Sequence, residues 1–152
     1  MKYYTGLFAL TQYADISEES IGLCGQLFKY LPEKDKFIAD TDDTILGDYC
    51  VFDTYIVTTE EEIKCASHKR AYLDMLIKHD FNTLRSLYDE AICNLKVLHE
   101  IFIACSTFEL YQDPEILNFL NEEFGSHFRS YLLSMSRDDL LTKSYDIVRS
   151  KL

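Results

Sequence analysis

Apolar and polar positions change rhythm close to residue 58. Before it, apolar side chains come in short β-branched and aromatic runs; after it, they recur every three or four positions. In the first part, Tyr3, Tyr4, Thr5, Leu7, Phe8 and Leu10 predict an opening strand, followed by a polar stretch over 15–20. Residues 21–31, apolar around Gly22 and Gly25 and closed by Pro32, read as a short strand or a weak helix, the strand being preferred. Residues 33–43 read as an acidic loop. Residues 44–58 carry Ile45, Leu46, Tyr49, Val51, Phe52, Tyr55, Ile56 and Val57 and make the strongest strand prediction, with Gly47-Asp48 bending or bulging it.

From Thr59 the pattern turns helical. A hydroxyl at Thr59 and a carboxylate at Glu62, three residues on, have the spacing of a capping box. The predicted helix runs to His79, with Ile63, Ala66, Arg70, Leu73 and Ile77 on one face and Cys65, Tyr72 and Leu76 beside them. Asn82 is placed to cap a long helix through Leu84, Leu87, Ala91, Leu95, Leu98, Phe102 and Cys105, with a break expected near Cys93-Asn94. Asp113-Pro114 joins a cap to a first-turn proline, opening a helix that stops at Gly125; Phe128, Tyr131, Leu132 and Leu133 extend the apolar surface. Ser136 and Asp139 open a last helix. Strands gathered first and helices afterwards describe an α+β fold. The expectation is a small antiparallel sheet or hairpin packed on about four helices, in a single domain over 1–152, with 1–58 strand-rich and acidic and 59–152 helical.

Composition adds that 152 residues, 47% apolar and 27% charged, suffice for one self-sufficient core. The five cysteines are an odd number without CxxC spacing, which fits free thiols in a reducing cytoplasm. No secretory signal stands at 1–10, and no apolar run approaches the roughly 18 residues of a membrane span.

Charge changes the picture more. Residues 1–62 hold thirteen acidic and four basic side chains, a net −9 of the total −11. A concentrated negative field repels phosphate backbones and attracts basic surfaces. The candidate acidic face comprises Asp35, Asp40, Asp42, Asp43, Asp53, Glu60 and Glu61. Direct nucleic-acid binding is disfavoured, because the longest basic patch is His68-Lys69-Arg70. Phosphate-cradling glycine loops and nucleophile signatures are missing. Cys65 and His68 have an i, i+3 spacing that could bite a metal ion, but Cys93 and His99 are six apart and complete no site, so neither metal nor cofactor is expected. Arg70 interrupts an apolar stripe with Asp74 one turn later, the spacing of an ion pair that buries the arginine stem.

The run 66–76, Ala-Ser-His-Lys-Arg-Ala-Tyr-Leu-Asp-Met-Leu, with Leu46-Gly47-Asp48-Tyr49 before it and Ala91-Ile92-Cys93-Asn94 and Glu100-Ile101-Phe102 after it, resembles a group of small uncharacterised bacterial proteins. Its members carry a GDY turn and a helix of ANHxRAxLDLL type. Where they show Gly-Asp-Trp-His after the first strand, this chain has Leu23-Cys24-Gly25-Gln26 and no tryptophan. The resemblance implies an association with mobile elements and toxin-antitoxin neighbourhoods, and it singles out Asp48, Tyr49, His68, Arg70, Asp74 and Asn94 as shared polar positions. It implies no catalytic residue. The combined expectation is a non-enzymatic acidic binding protein, an antitoxin, immunity protein or inhibitor, covering a basic surface of a toxin, nuclease or defence effector. The alternatives are a small enzyme using His68, Arg70 and Asp48 on a phosphate or carboxylate substrate, and a self-assembling structural subunit.

Overall fold

The computed structural model describes residues 1–12, 30–56, 59–91 and 95–134. The region 21–29, Cys93, Asn94 and the last expected helix from Ser136 lie outside the described residues. The fold is α+β. Four strands, Lys2–Tyr4 (β1), Ile38–Asp40 (β2), Val51–Tyr55 (β3) and Glu62–Ala66 (β4), form one sheet in the order β2-β1-β4-β3. β1 pairs antiparallel with β2 and β3 with β4, but β1 and β4 run parallel, with Tyr4 opposite Cys65. The sheet is therefore mixed rather than antiparallel. A parallel neighbour needs a long crossover, and the chain between Tyr4 and Glu62 supplies it.

Several expected elements are corrected. The first strand ends at Tyr4, because the chain turns at Gly6 (φ 63°) into the short helix Gly6–Leu10 (α1). A Cβ at Gly6 would stand 3.0 Å from the Phe37 ring, so both the conformation and the space select glycine. The supposed loop 33–43 contains the rest of a 3₁₀ helix, Leu31–Phe37, then β2, then a 3₁₀ turn, Thr41–Asp43. Of the long strand predicted over 44–58, Val57 and Thr58 lie outside the described residues, and among the described ones only Val51–Tyr55 is strand. Residues 44–50 form successive turns in which the amides of Gly47, Tyr49 and Val51 bond the carbonyls of Thr44, Leu46 and Asp48.

No helix begins at Thr59. Its hydroxyl instead accepts the Glu61 amide, while the amides of Thr59 and Glu60 both reach the Ile56 carbonyl, closing the β3–β4 hairpin with Glu60 at φ 56°. Glu62, Ile63, Lys64 and Cys65 then alternate out and in, the period of a strand. The strand-rich part extends to Ala66. The helix His68–Ile77 (α2) starts at Ser67, whose side chain accepts the Arg70 amide.

The helices Phe81–Ala91 (α3) and Leu95–Thr107 (α4) fall on either side of the expected break. Asp113 caps Pro114–Phe124 (α5), which ends at Gly125 (φ 47°) and is followed by Ser126–Ser134 (α6). Phe102 of α4 is the hub of the helical core. Its ring meets Phe128 at 5.1 Å, Tyr131 at 5.4 Å and Phe124 at 5.7 Å, and its carbonyl accepts the Tyr111 hydroxyl at 2.8 Å. No helix of the described residues is long and apolar enough to cross a membrane.

Candidate functional site

Strand register gathers much of the acidity at one end of the sheet. Lys2 lies opposite Asp40, and the Thr41 amide bonds the Met1 carbonyl at 2.9 Å, so the end of β2 sits beside the start of β1. The Tyr4–Cys65 register, carried back three residues, sets Met1 abreast of Glu62. Residues 40–43 and 60–62 thus rim the same end on strands separated only by β1, about 10 Å apart at ordinary strand spacing. That is within a Debye length of about 10 Å at 0.1 M salt, so their fields add.

Not all of these carboxylates are unpaired. Asp40 accepts the terminal ammonium of Met1 at 3.1 Å and the Asp42 amide at 3.0 Å. The amide first, and then the ammonium, holds its carboxyl below the usual range. Glu61 lies 3.9 Å from Lys34. Asp42, Asp43, Glu60 and Glu62 are exposed and make no ion pair among the described residues. Two other acidic positions do not belong to this end, and a third, Asp35, shares Lys34 with Glu61. Asp53 pairs across the hairpin with Lys64 at 2.6 Å, Asp35 sits on the 3₁₀ helix beside Lys34 at 3.4 Å, and Asp48 occupies the turn before β3. The single acidic face expected from the sequence is therefore one acidic end plus dispersed, partly paired charges.

Arg70, Asp74 and Tyr49 build something different. Arg70 is 0% exposed, and three of its nitrogens are engaged. Nε donates to Asp74 Oδ1 at 2.8 Å, Nη1 to the Tyr49 carbonyl at 2.6 Å, and Nη2 to the Tyr3 hydroxyl at 2.8 Å. Tyr3 in turn donates to Asp74 Oδ2 at 2.7 Å, as does Thr5. The guanidinium also lies 4.9 Å from the centre of the Tyr3 ring. Burial, then the Asp74 charge and hydrogen bond, push the Tyr3 phenol well above its ordinary range. This network clamps α2 to β1 and to the turn before β3. It confirms the i, i+4 spacing and gives Arg70 no surface to offer a substrate. His68 is also buried, its Nε2 2.5 Å from the Gln12 carbonyl. Cys65 lies in β4, so the helical i, i+3 spacing supposed for Cys65 and His68 does not exist.

Tyr49 divides its groups between neighbours. Its carbonyl holds Arg70, its ring packs on Phe108 at 4.9 Å, and Lys69 stands 5.4 Å above it. Burial raises the Tyr49 phenol, against an opposing hydrogen bond with Lys69. Lys69 also lies 3.9 Å from Glu100. Among the tyrosines of the strand-rich part, Tyr3 is core, Tyr4 and Tyr49 are half-buried, and Tyr55 is 60% exposed at the acidic end, opposite Glu62. Reasoning from sequence missed one convergence entirely, that of His79 with Asp113 and Glu115. Their separation along the chain carries no motif. No family model, curated protein or solved structure matches this chain.

Proposed function

We propose that the chain is a small acidic binding protein that masks a basic protein surface, in the manner of an antitoxin, immunity protein or inhibitor of a defence effector, with the acidic end of the sheet as its contact. The observation that carries this reading is the set of four exposed carboxylates, Asp42, Asp43, Glu60 and Glu62, gathered by strand register without ion pairs among the described residues. Exposed Tyr55, opposite Glu62, adds the aromatic area that interface centres favour. Carboxylates spaced along a strand end compete with phosphates for a basic groove, and stoichiometric occlusion needs no catalytic group. The resemblance to proteins of mobile elements favours a toxin or nuclease as the target.

The test is capture from native lysate with the wild-type chain and with a variant carrying Asp42→Asn, Asp43→Asn, Glu60→Gln and Glu62→Gln. A basic partner held by the wild type at low salt, released at high salt and ignored by the variant is the expected result. A partner held equally by both chains, or no partner at either salt concentration, overturns the proposal.

A further inference from the structure

His79 stands in the turn after α2 with φ 58°, and its ring lies against the start of α5. Nε2 is 2.5 Å from Asp113 Oδ2, and Nδ1 is 2.6 Å from Glu115 Oε2. One donor atom from each of the three residues can be chosen so that all lie within 4.8 Å of one another, and among the described residues no other trio of His, Cys, Asp or Glu comes together in this way.

The trio is braced from two sides. Phe81 stacks on the imidazole at 5.1 Å and on Phe119 of α5 at 4.9 Å, so the ring is positioned by the helix that Asp113 caps and that carries Glu115. Asp113 spends Oδ1 on the Glu115 amide at 2.9 Å as the helix cap, which leaves Oδ2 turned toward the ring. Neither carboxylate pairs with a lysine or arginine among the described residues. The two carboxylates face the imidazole at its two nitrogens, and a divalent cation taking the place of a ring proton would be held by the same three groups.

One imidazole nitrogen and two carboxylate oxygens are a donor set for zinc and neighbouring transition ions. Bonds of about 2.0–2.2 Å in a tetrahedral arrangement put donors about 3.3–3.6 Å apart. A rotation of the Glu115 side chain, 65% exposed, brings its oxygen from the Nδ1 side of the ring into such a set. The imidazole ligates through one nitrogen, and water completes the coordination.

We infer that His79, Asp113 and Glu115 form a surface site for a divalent transition-metal ion of the zinc class, stapling the end of α2 to the start of α5. This does not depend on the acidic end of the sheet. The experiment is calorimetric titration of zinc chloride into the full chain at neutral pH, with His79→Gln and Glu115→Gln beside the wild type. Glu115→Gln keeps an exposed side chain of equal size and leaves the Asp113 cap intact, so it tests the site even if His79→Gln folds poorly. The expected result is one ion bound per wild-type chain, a raised thermal midpoint, and at least tenfold weaker binding in each variant. In histidine-ring NMR, zinc should shift the His79 resonances while leaving His99 and His127 in place. Equal affinity in all three chains, placing the ion elsewhere, overturns the inference. Absence of binding to the wild type overturns it as well and leaves an ion-paired strap.

Discussion

Removing a guanidinium from water costs several kcal/mol, and Arg70 offsets that cost only through the partners around it. Asp74 supplies the opposite charge, while Tyr3, Thr5 and the Tyr49 carbonyl fill further hydrogen-bonding capacity of the pair. The consequence is asymmetric. Arg70→Leu leaves Asp74 buried without its cation and is expected to destabilise the fold by about 3–5 kcal/mol. Arg70→Leu with Asp74→Leu removes both charges and should cost less than the sum of the two single changes. Urea denaturation of both single variants and the double variant gives the coupling directly. An additive result would mean that the two side chains do not act as a unit. The spacing of Arg70 and Asp74 was legible because it lies within one helix. Their partners Tyr3 and Thr5 lie 71 and 69 residues from Asp74, and no local pattern announces them.

Among the elements, β4 and α2 show how a short signal is misread. Thr59 and Glu62 have capping-box spacing, yet a side chain caps a helix only if the following backbone turns helical. Here Glu60 at φ 56° closes a hairpin, and pairing with β3 and β1 claims the Glu62–Ala66 amides for a sheet. The working cap is Ser67, which the sequence shows only as a serine inside a supposed helix. Ser67→Ala removes the acceptor for the Arg70 amide and should lower stability by about 1 kcal/mol. The check is a drop in the urea midpoint with an unchanged denaturant slope. No loss of stability would mean that tertiary contacts alone set the start of α2. Asp113-Pro114 and Gly125 were read correctly because cap, first-turn proline and left-handed stop are all local chemistry.

For the whole molecule, burial of ionisable groups sets the response to pH. Burial holds Tyr3, Tyr72, Tyr111 and the Cys105 thiol well above their ordinary ranges, with the Asp74 charge adding to the effect at Tyr3 and Glu123 at Tyr72. All four are protonated and neutral in the folded chain. The unfolded chain releases their protons at ordinary values, about 8.5 for a thiol and about 10 for a phenol. Above those values the folded state binds more protons than the unfolded one, so stability falls as pH rises. Their contribution is fully present below about pH 8 and fades from about pH 8.5 upward, most steeply beyond about pH 10. Thermal midpoints measured from neutral to strongly alkaline pH should show this decline. A flat profile would require phenols and a thiol that ionise normally in the fold.

By itself the sequence determined the class of architecture, the soft β-rich beginning and helical remainder, the caps at Asp113 and Gly125, the Arg70–Asp74 spacing and the concentration of negative charge, since each is a property of composition or of residues a few positions apart. Tertiary structure decided which acidic groups stand together, that β1 and β4 run parallel, that Glu62–Ala66 is strand, and that His79 meets Asp113 and Glu115. Those outcomes turn on hydrogen bonds and charges between segments tens of residues apart. Local periodicity carries no record of which distant strand or helix will supply the partner.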